Sequence, residues 1–118
     1  TSTNNFNSYQ ELVYLPGGII GGGIPTTIIT KAGSGAMSMF IEYQIIDAIT
    51  GTDQRTGHIM ANFNNLGTPT STFAETVTAD IGNTSTLNFS TNGSPSYDII
   101  LTNGGANPYT FKAILRYF

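Results

Sequence analysis

Apolar residues in this chain recur at every second position and rarely at the three- and four-residue spacing of a helix. A period of two is that of a β-strand, whose side chains alternate between two faces. The longest case runs from Ala36 to about Ile49. Met37, Met39, Ile41, Tyr43 and Ile45 share one face; Ser38, Phe40, Glu42, Gln44 and Ile46 share the other. The first set is wholly apolar and is predicted to face a core. The second is mixed, and Phe40 and Ile46 within it predict partial cover by a neighbour.

The same period marks seven further runs: Tyr9–Leu15, Thr26–Thr30, Arg55–Phe63, Phe73–Ala79, Thr86–Ser90, Tyr97–Thr102 and Tyr109–Phe118. β-Branched and aromatic residues fill their alternating positions, as a pleated surface favours. Between them stand turn signals, among them Thr50-Gly51-Thr52-Asp53, Ile81-Gly82-Asn83, Asn92-Gly93 and Asn103-Gly104-Gly105. The turn at 50–53 joins two strong runs and predicts a hairpin. About eight short strands in 118 residues cannot lie in one flat sheet with a wet face. The fold class is therefore all-β, an antiparallel β-sandwich or jelly roll.

The stretch Gly17–Gly23, with Ile19 and Ile20 set among glycines, reads as too permissive for a regular element. It predicts a Gly-rich N-terminal arm. Residues 1–35 are then a strand and arm appended to a sandwich core at residues 36–118, within a single domain overall.

Composition narrows function. Only 9% of residues are charged, against about 25% for an ordinary domain. The four basic residues, Lys31, Arg55, Lys112 and Arg116, are scattered, and the net charge is −3. No clustered basic face is present to displace counterions from phosphates, so nucleic acid is not an expected partner. The longest apolar runs fall well short of the roughly 18–20 residues that span a bilayer, so membrane insertion is not expected. There is no cysteine, which removes disulfides, thiolate metal sites and a cysteine nucleophile together.

Ordered segments carry a family resemblance. Met39-Phe40-Ile41-Glu42-Tyr43 follows a Gly/Ala-rich lead-in, and Arg55-Thr56-Gly57-His58-Ile59-Met60 forms an Arg-x-Gly-x-hydrophobic-Met segment. Glu75-Thr76 and Asp80-Ile81-Gly82-Asn83-Thr84-Ser85 make a Thr-rich strand with its turn, and Tyr109-Thr110-Phe111-Lys112-Ala113-Ile114-Leu115-Arg116 closes the chain. This order resembles the C-terminal β-sandwich domain of bacteriophage virion proteins, over about 80 of 118 residues. What the resemblance implies is a non-enzymatic virion component, a trimeric module of tail or head appendages or of capsid decoration. Its partners would be copies of itself and other virion proteins. The resemblance brings no catalytic residue and no cofactor.

His58 is the lone histidine, too few for a histidine-based metal site and short of partners for a triad. Asp47, Asp53 and Asp80 lie beside turns, where an aspartate caps its own backbone. Calcium on Asp47 and Asp53 lacks the alternating pattern of a dedicated loop. The glycines at 17–23 lack the Lys-Ser/Thr and following helix of a phosphate loop. No catalytic, cofactor or metal residue is assigned.

Two binding expectations remain. The last strand is apolar on both faces, with Ile114, Arg116 and Phe118 opposite Ala113, Leu115 and Tyr117. A strand apolar on both faces is covered on both. Phe40, Ile46, Ile114, Arg116 and Phe118 are the expected subunit interface. The alternative is a carbohydrate- or receptor-binding module at a fibre tip, using loops at 64–72 and 103–109. Tyr109 and Asn107 would there contact a host surface glycan.

Overall fold

The computed structural model describes residues 6–118. Residues 1–5, the first part of the expected arm, lie outside them. Eight strands form: β1 (Tyr9–Ile19), β2 (Pro25–Ala32), β3 (Ala36–Asp47), β4 (Gln54–Asn64), β5 (Thr70–Ile81), β6 (Leu87–Asn92), β7 (Ser96–Asn103) and β8 (Tyr109–Tyr117). They make two antiparallel sheets, ordered β1-β8-β3-β4-β5 and β2-β7-β6. The all-β sandwich expected from the alternation is the observed architecture.

The hairpin of β3 and β4 holds an unbroken register from Ala36↔Asn64 to Ile46↔Gln54. Its turn closes as the residues dictate. The Asp47 carboxylate accepts the Ile49 and Thr50 N–H groups at 2.8 and 2.9 Å, and Gly51 takes a left-handed φ of 66°.

Between the sheets, Met39, Ile41, Tyr43 and Ile45 of β3 meet Ile99 and Leu101 of β7, Phe111 and Leu115 of β8 and Phe63 of β4, all essentially buried. Each large aliphatic or aromatic side chain so buried contributes about 1.5–3 kcal/mol. Tyr97 stacks on Phe63 with ring centroids 5.0 Å apart and donates its hydroxyl to the Gly35 carbonyl. Of the six tyrosines, expected mostly in the core, Tyr43, Tyr97 and Tyr109 are buried, whereas Tyr9 and Tyr14 are exposed.

The Gly-rich stretch departs from expectation. β1 does not stop at Leu15 but continues to Ile19, which is fully buried opposite Tyr109. A register shift between Leu15 and Ile19 absorbs Pro16-Gly17-Gly18, and the Gly17 N–H donates to Thr110 Oγ1 at 2.9 Å. The glycines thus make a bulge inside a sheet strand. The connection that follows is tied down as well. Gly22 and Gly23 donate to the Gly105 and Asn103 carbonyls at 2.9 and 2.8 Å, and Asn103 Nδ2 donates to the Ile19 carbonyl at 3.3 Å. Residues 9–32 supply one strand to each sheet, and Ile19, Ile28 and Ile29 enter the shared core. An arm separate from the core is not seen in them.

Candidate assembly face

The outer face of the five-stranded sheet can be read row by row from its registers. One row is Leu12–Ile114–Glu42–His58–Val77, running from β1 through β8, β3 and β4 to β5. The next is Tyr14–Lys112–Gln44–Thr56–Ala79. Together they line a broad open groove of about 890 Å³. Leu12, Tyr14, Val77 and Ala79 flank it, and Glu42, Gln44, Thr56, His58 and Lys112 lie across its floor beside Ile114. Leu12 is 80% exposed, Val77 66% and Ile114 40%. Leu12 and Ile114 adjoin across β1 and β8 and Val77 stands on β5, with Glu42 and His58 between them on β3 and β4.

All five residues expected at a subunit interface lie on this face. Phe40 stacks on Phe118 at 5.7 Å, and Phe6 meets Phe118 edge-on at 5.5 Å. Phe118 is held by a mutual backbone pair with Ser38. Arg116 sits 3.4 Å from Glu42, both well exposed. Ile46 stands at the far end of the face, opposite Thr110 and Gln54 and half-buried. The face extends beyond the expected set, through Leu12 and Tyr14 of β1 and Val77 of β5. The parity of Leu12 and Tyr14 within the first strand was a usable signal for the two β1 residues.

His58 lies on the floor of the groove, and its buried Nε2 has no hydrogen-bond partner among the described residues. Among the described residues no Ser or Thr hydroxyl is bonded to this nitrogen. Glu42, opposite His58 in the row, pairs with Arg116. Glu75 and Asp80 pair with Arg55 at 3.3 and 3.2 Å.

The expected ligand contacts lie at one end of the sandwich, around a pocket of about 260 Å³ lined by Asp47, Asp53, Asn83, Asn107 and Tyr109 among others. The expectation for Tyr109 requires correction. The residue is 4% exposed, its ring packed in the core, so it offers no face to a sugar. Its hydroxyl points to Asp53 Oδ2 at 3.5 Å, and burial together with Asp53 and Asp47 raises its pKa. Asn107 is an internal brace, donating to Asp47 Oδ2 at 3.0 Å. The Thr50 N–H and the Asn107 amide hold the Asp47 carboxyl below its ordinary value. Asp53 accepts the Asn83 N–H at 3.1 Å. Both aspartates therefore serve the turns around them.

Comparison with solved structures shows a shared fold. The whole chain superposes on part of the tailspike protein of Acinetobacter phage vB_ApiP_P1, with a TM-score of 0.57 at 14% identity. The chain spans 23% of that tailspike's length. The tailspike of Acinetobacter baumannii phage AM24 gives a weaker likeness, TM-score 0.46 at 11% identity over 96% of this chain and 25% of that one. No protein-family model and no curated protein matches the chain.

Proposed function

We propose that this domain is a non-enzymatic structural module of a phage-like virion that assembles with copies of itself through the outer face of its five-stranded sheet. The observation that carries the reading is the pair of cross-strand rows that leave Leu12, Tyr14, Ile114 and Val77 exposed on one surface. Five strands at about 4.8 Å spacing and about nine residues at ~3.3 Å give a face of roughly 700 Å². That is close to the ~800 Å² per partner of a standard stable interface. The sequence resemblance and the fold shared with part of a phage tailspike support the virion setting, and the resemblance favours a trimer.

Light scattering on the purified protein at micromolar concentration tests this. A trimer or larger assembly is expected, and Ile114→Lys is expected to lower its mass by placing a further charge between Leu12 and Glu42 on the face. Circular dichroism on the variant checks that the exposed substitution leaves the fold in place. A compact monomer for the unsubstituted chain would refute the assembly reading.

A further inference from the structure

β5 is the least enclosed strand of the molecule. It has twelve residues against the six of β6, and from Thr76 to Ile81 every residue is exposed. Exposure there is on both faces, because Val77, Ala79 and Ile81 point outward while Thr78 and Asp80 point inward, opposite Gly57 and Arg55. The far edge of β5 is open as well. Its only strand partner is β4, and among the described residues no other backbone hydrogen bond reaches it.

Open edges template further strands, and proteins blunt them with proline, lysine, bulges or short length. The other three edges of this sandwich are blunted. β1 carries Pro16 and the glycine bulge, β2 carries Pro25, Lys31 and a register shift at Thr27/Ile29, and β6 is short. β5 contains no proline and no lysine. Its one irregularity, at Thr76, opens the exposed run and leaves 77–81 regular, and its inward carboxylates, Glu75 and Asp80, are paired with Arg55 of the same chain.

We infer that residues Val77–Ile81 of β5 pair antiparallel with the same segment of a second copy, about a twofold axis at Ala79. The occupant is specified by self-complementarity. With Ala79 opposite itself, Val77 faces Ile81 of the partner copy on the outer side, matching the two exposed apolar residues of the strand. Asp80 faces Thr78, so no carboxylates oppose one another, and Asp80 is already paired with Arg55 of its own chain. β-Branched and apolar cross-strand pairs of this kind stabilise antiparallel sheets, whereas like charges directly opposite destabilise them. The contact joins two five-stranded sheets edge to edge and is distinct from the face-to-face contact proposed above. A chain using both would link one oligomer to the next.

The chain has no cysteine, so a single one reports only on its own twofold neighbour. Opposed residues in an antiparallel pair have Cα atoms about 4.5–5.5 Å apart, within the range a disulfide bridges. Ala79→Cys is expected to form a covalent dimer under mild oxidation at micromolar concentration, at least tenfold faster than Thr52→Cys in an exposed turn. Added to Ile114→Lys, so that the sheet-face contact is already removed, Ala79→Lys opposes two like charges at the axis and is expected to lower the remaining solution mass without altering the circular dichroism. Ile114→Lys is expected to leave the Ala79→Cys cross-link in place, which separates this contact from the sheet-face assembly. Equal cross-linking rates at 79 and 52, or an unchanged mass on adding Ala79→Lys, would overturn the inference.

Discussion

The two long sides of the sandwich are fastened by ion pairs of opposite character. On the β1–β2 side, Lys31 reaches Glu11 at 2.6 Å, and the Tyr117 hydroxyl donates to the same Glu11 oxygen at 2.8 Å. Solvent reaches both charges. On the β4–β5 side, Arg55 is 8% exposed. Its guanidinium donates to Glu75 and Asp80 on β5, to the Thr84 carbonyl at 2.7 Å and hydroxyl at 3.0 Å, and to the Leu87 carbonyl at 3.3 Å. One side chain thereby ties β4, β5 and the segment entering β6, and so both sheets. The contrast shows what burial demands. A cation taken out of water must have its donors satisfied, whereas one at the surface can share them with solvent.

Removing the buried fastener tests that contrast hardest. Arg55→Ala removes the cation paired with Glu75 and Asp80 and one donor each from the Thr84 and Leu87 carbonyls, and is expected to cost about 3–5 kcal/mol, the range for breaking a buried pair. Arg55→Lys is expected to recover only a minor part, because an ammonium lacks the planar fork that reaches these partners together. Urea unfolding monitored by circular dichroism measures both. A loss below about 1 kcal/mol for the alanine variant would place Arg55 with the surface pairs.

Beside Arg55, Tyr43 crosses the strand pair to donate its hydroxyl to Glu75, and its path lies over Gly57, its cross-strand partner. A Cβ added at Gly57 would collide with that hydroxyl and ring. Burial and the Glu75 contact push the Tyr43 pKa upward, which keeps the phenol a donor. Gly57→Ala is expected to destabilise by about 1–3 kcal/mol through overpacking. In a Tyr43→Phe background the cost of Gly57→Ala is expected to fall by about half, because the colliding oxygen is gone. Equal costs in the two backgrounds would show that the glycine is needed for some other reason.

Much of this architecture was legible in the residues. The β3–β4 hairpin could be read because its alternation is long and its turn is built from Asp47 and Gly51. The inward set of β3 could be read because Met39, Ile41, Tyr43 and Ile45 have no polar residue among them. The continuation of β1 could not, because Pro16-Gly17-Gly18 carries the same letters as a stop and only its pairing with β8 makes it a bulge. The outward parity of Val77 was hidden likewise, because the irregularity at Thr76 inverts the alternation. Arg55 looked like one of four scattered cations, since its partners lie 20–32 positions away. The segments that carry the resemblance to virion proteins include Tyr43, Arg55, Gly57, Glu75, Asp80 and Thr84, and these converge on that one buried network. The resemblance there is one of fold-holding residues.

The exposed fastener is expected to show the smallest effect and the strongest dependence on conditions. Lys31→Ala should cost no more than about 1 kcal/mol, as for other solvent-reached pairs. Hydrogen bonds from Lys31 and Tyr117 hold the Glu11 carboxyl below its ordinary value. Its contribution is therefore present above the unfolded carboxylate value and lost as pH falls through the lower folded one. For Lys31, burial opposes the charge, but the Glu11 contact outweighs it and raises the pKa. That contribution is present below the ordinary lysine value and lost as pH rises through the raised one. The stability difference between the parent chain and Lys31→Ala should thus be flat from about pH 5 to pH 10 and shrink below about pH 4. It should also shrink in ~1 M salt, where the screening length falls to about 3 Å. A difference that persisted at pH 3 would mean that the lysine acts through its aliphatic stem and its position 4.8 Å over the Tyr117 ring, not through Glu11.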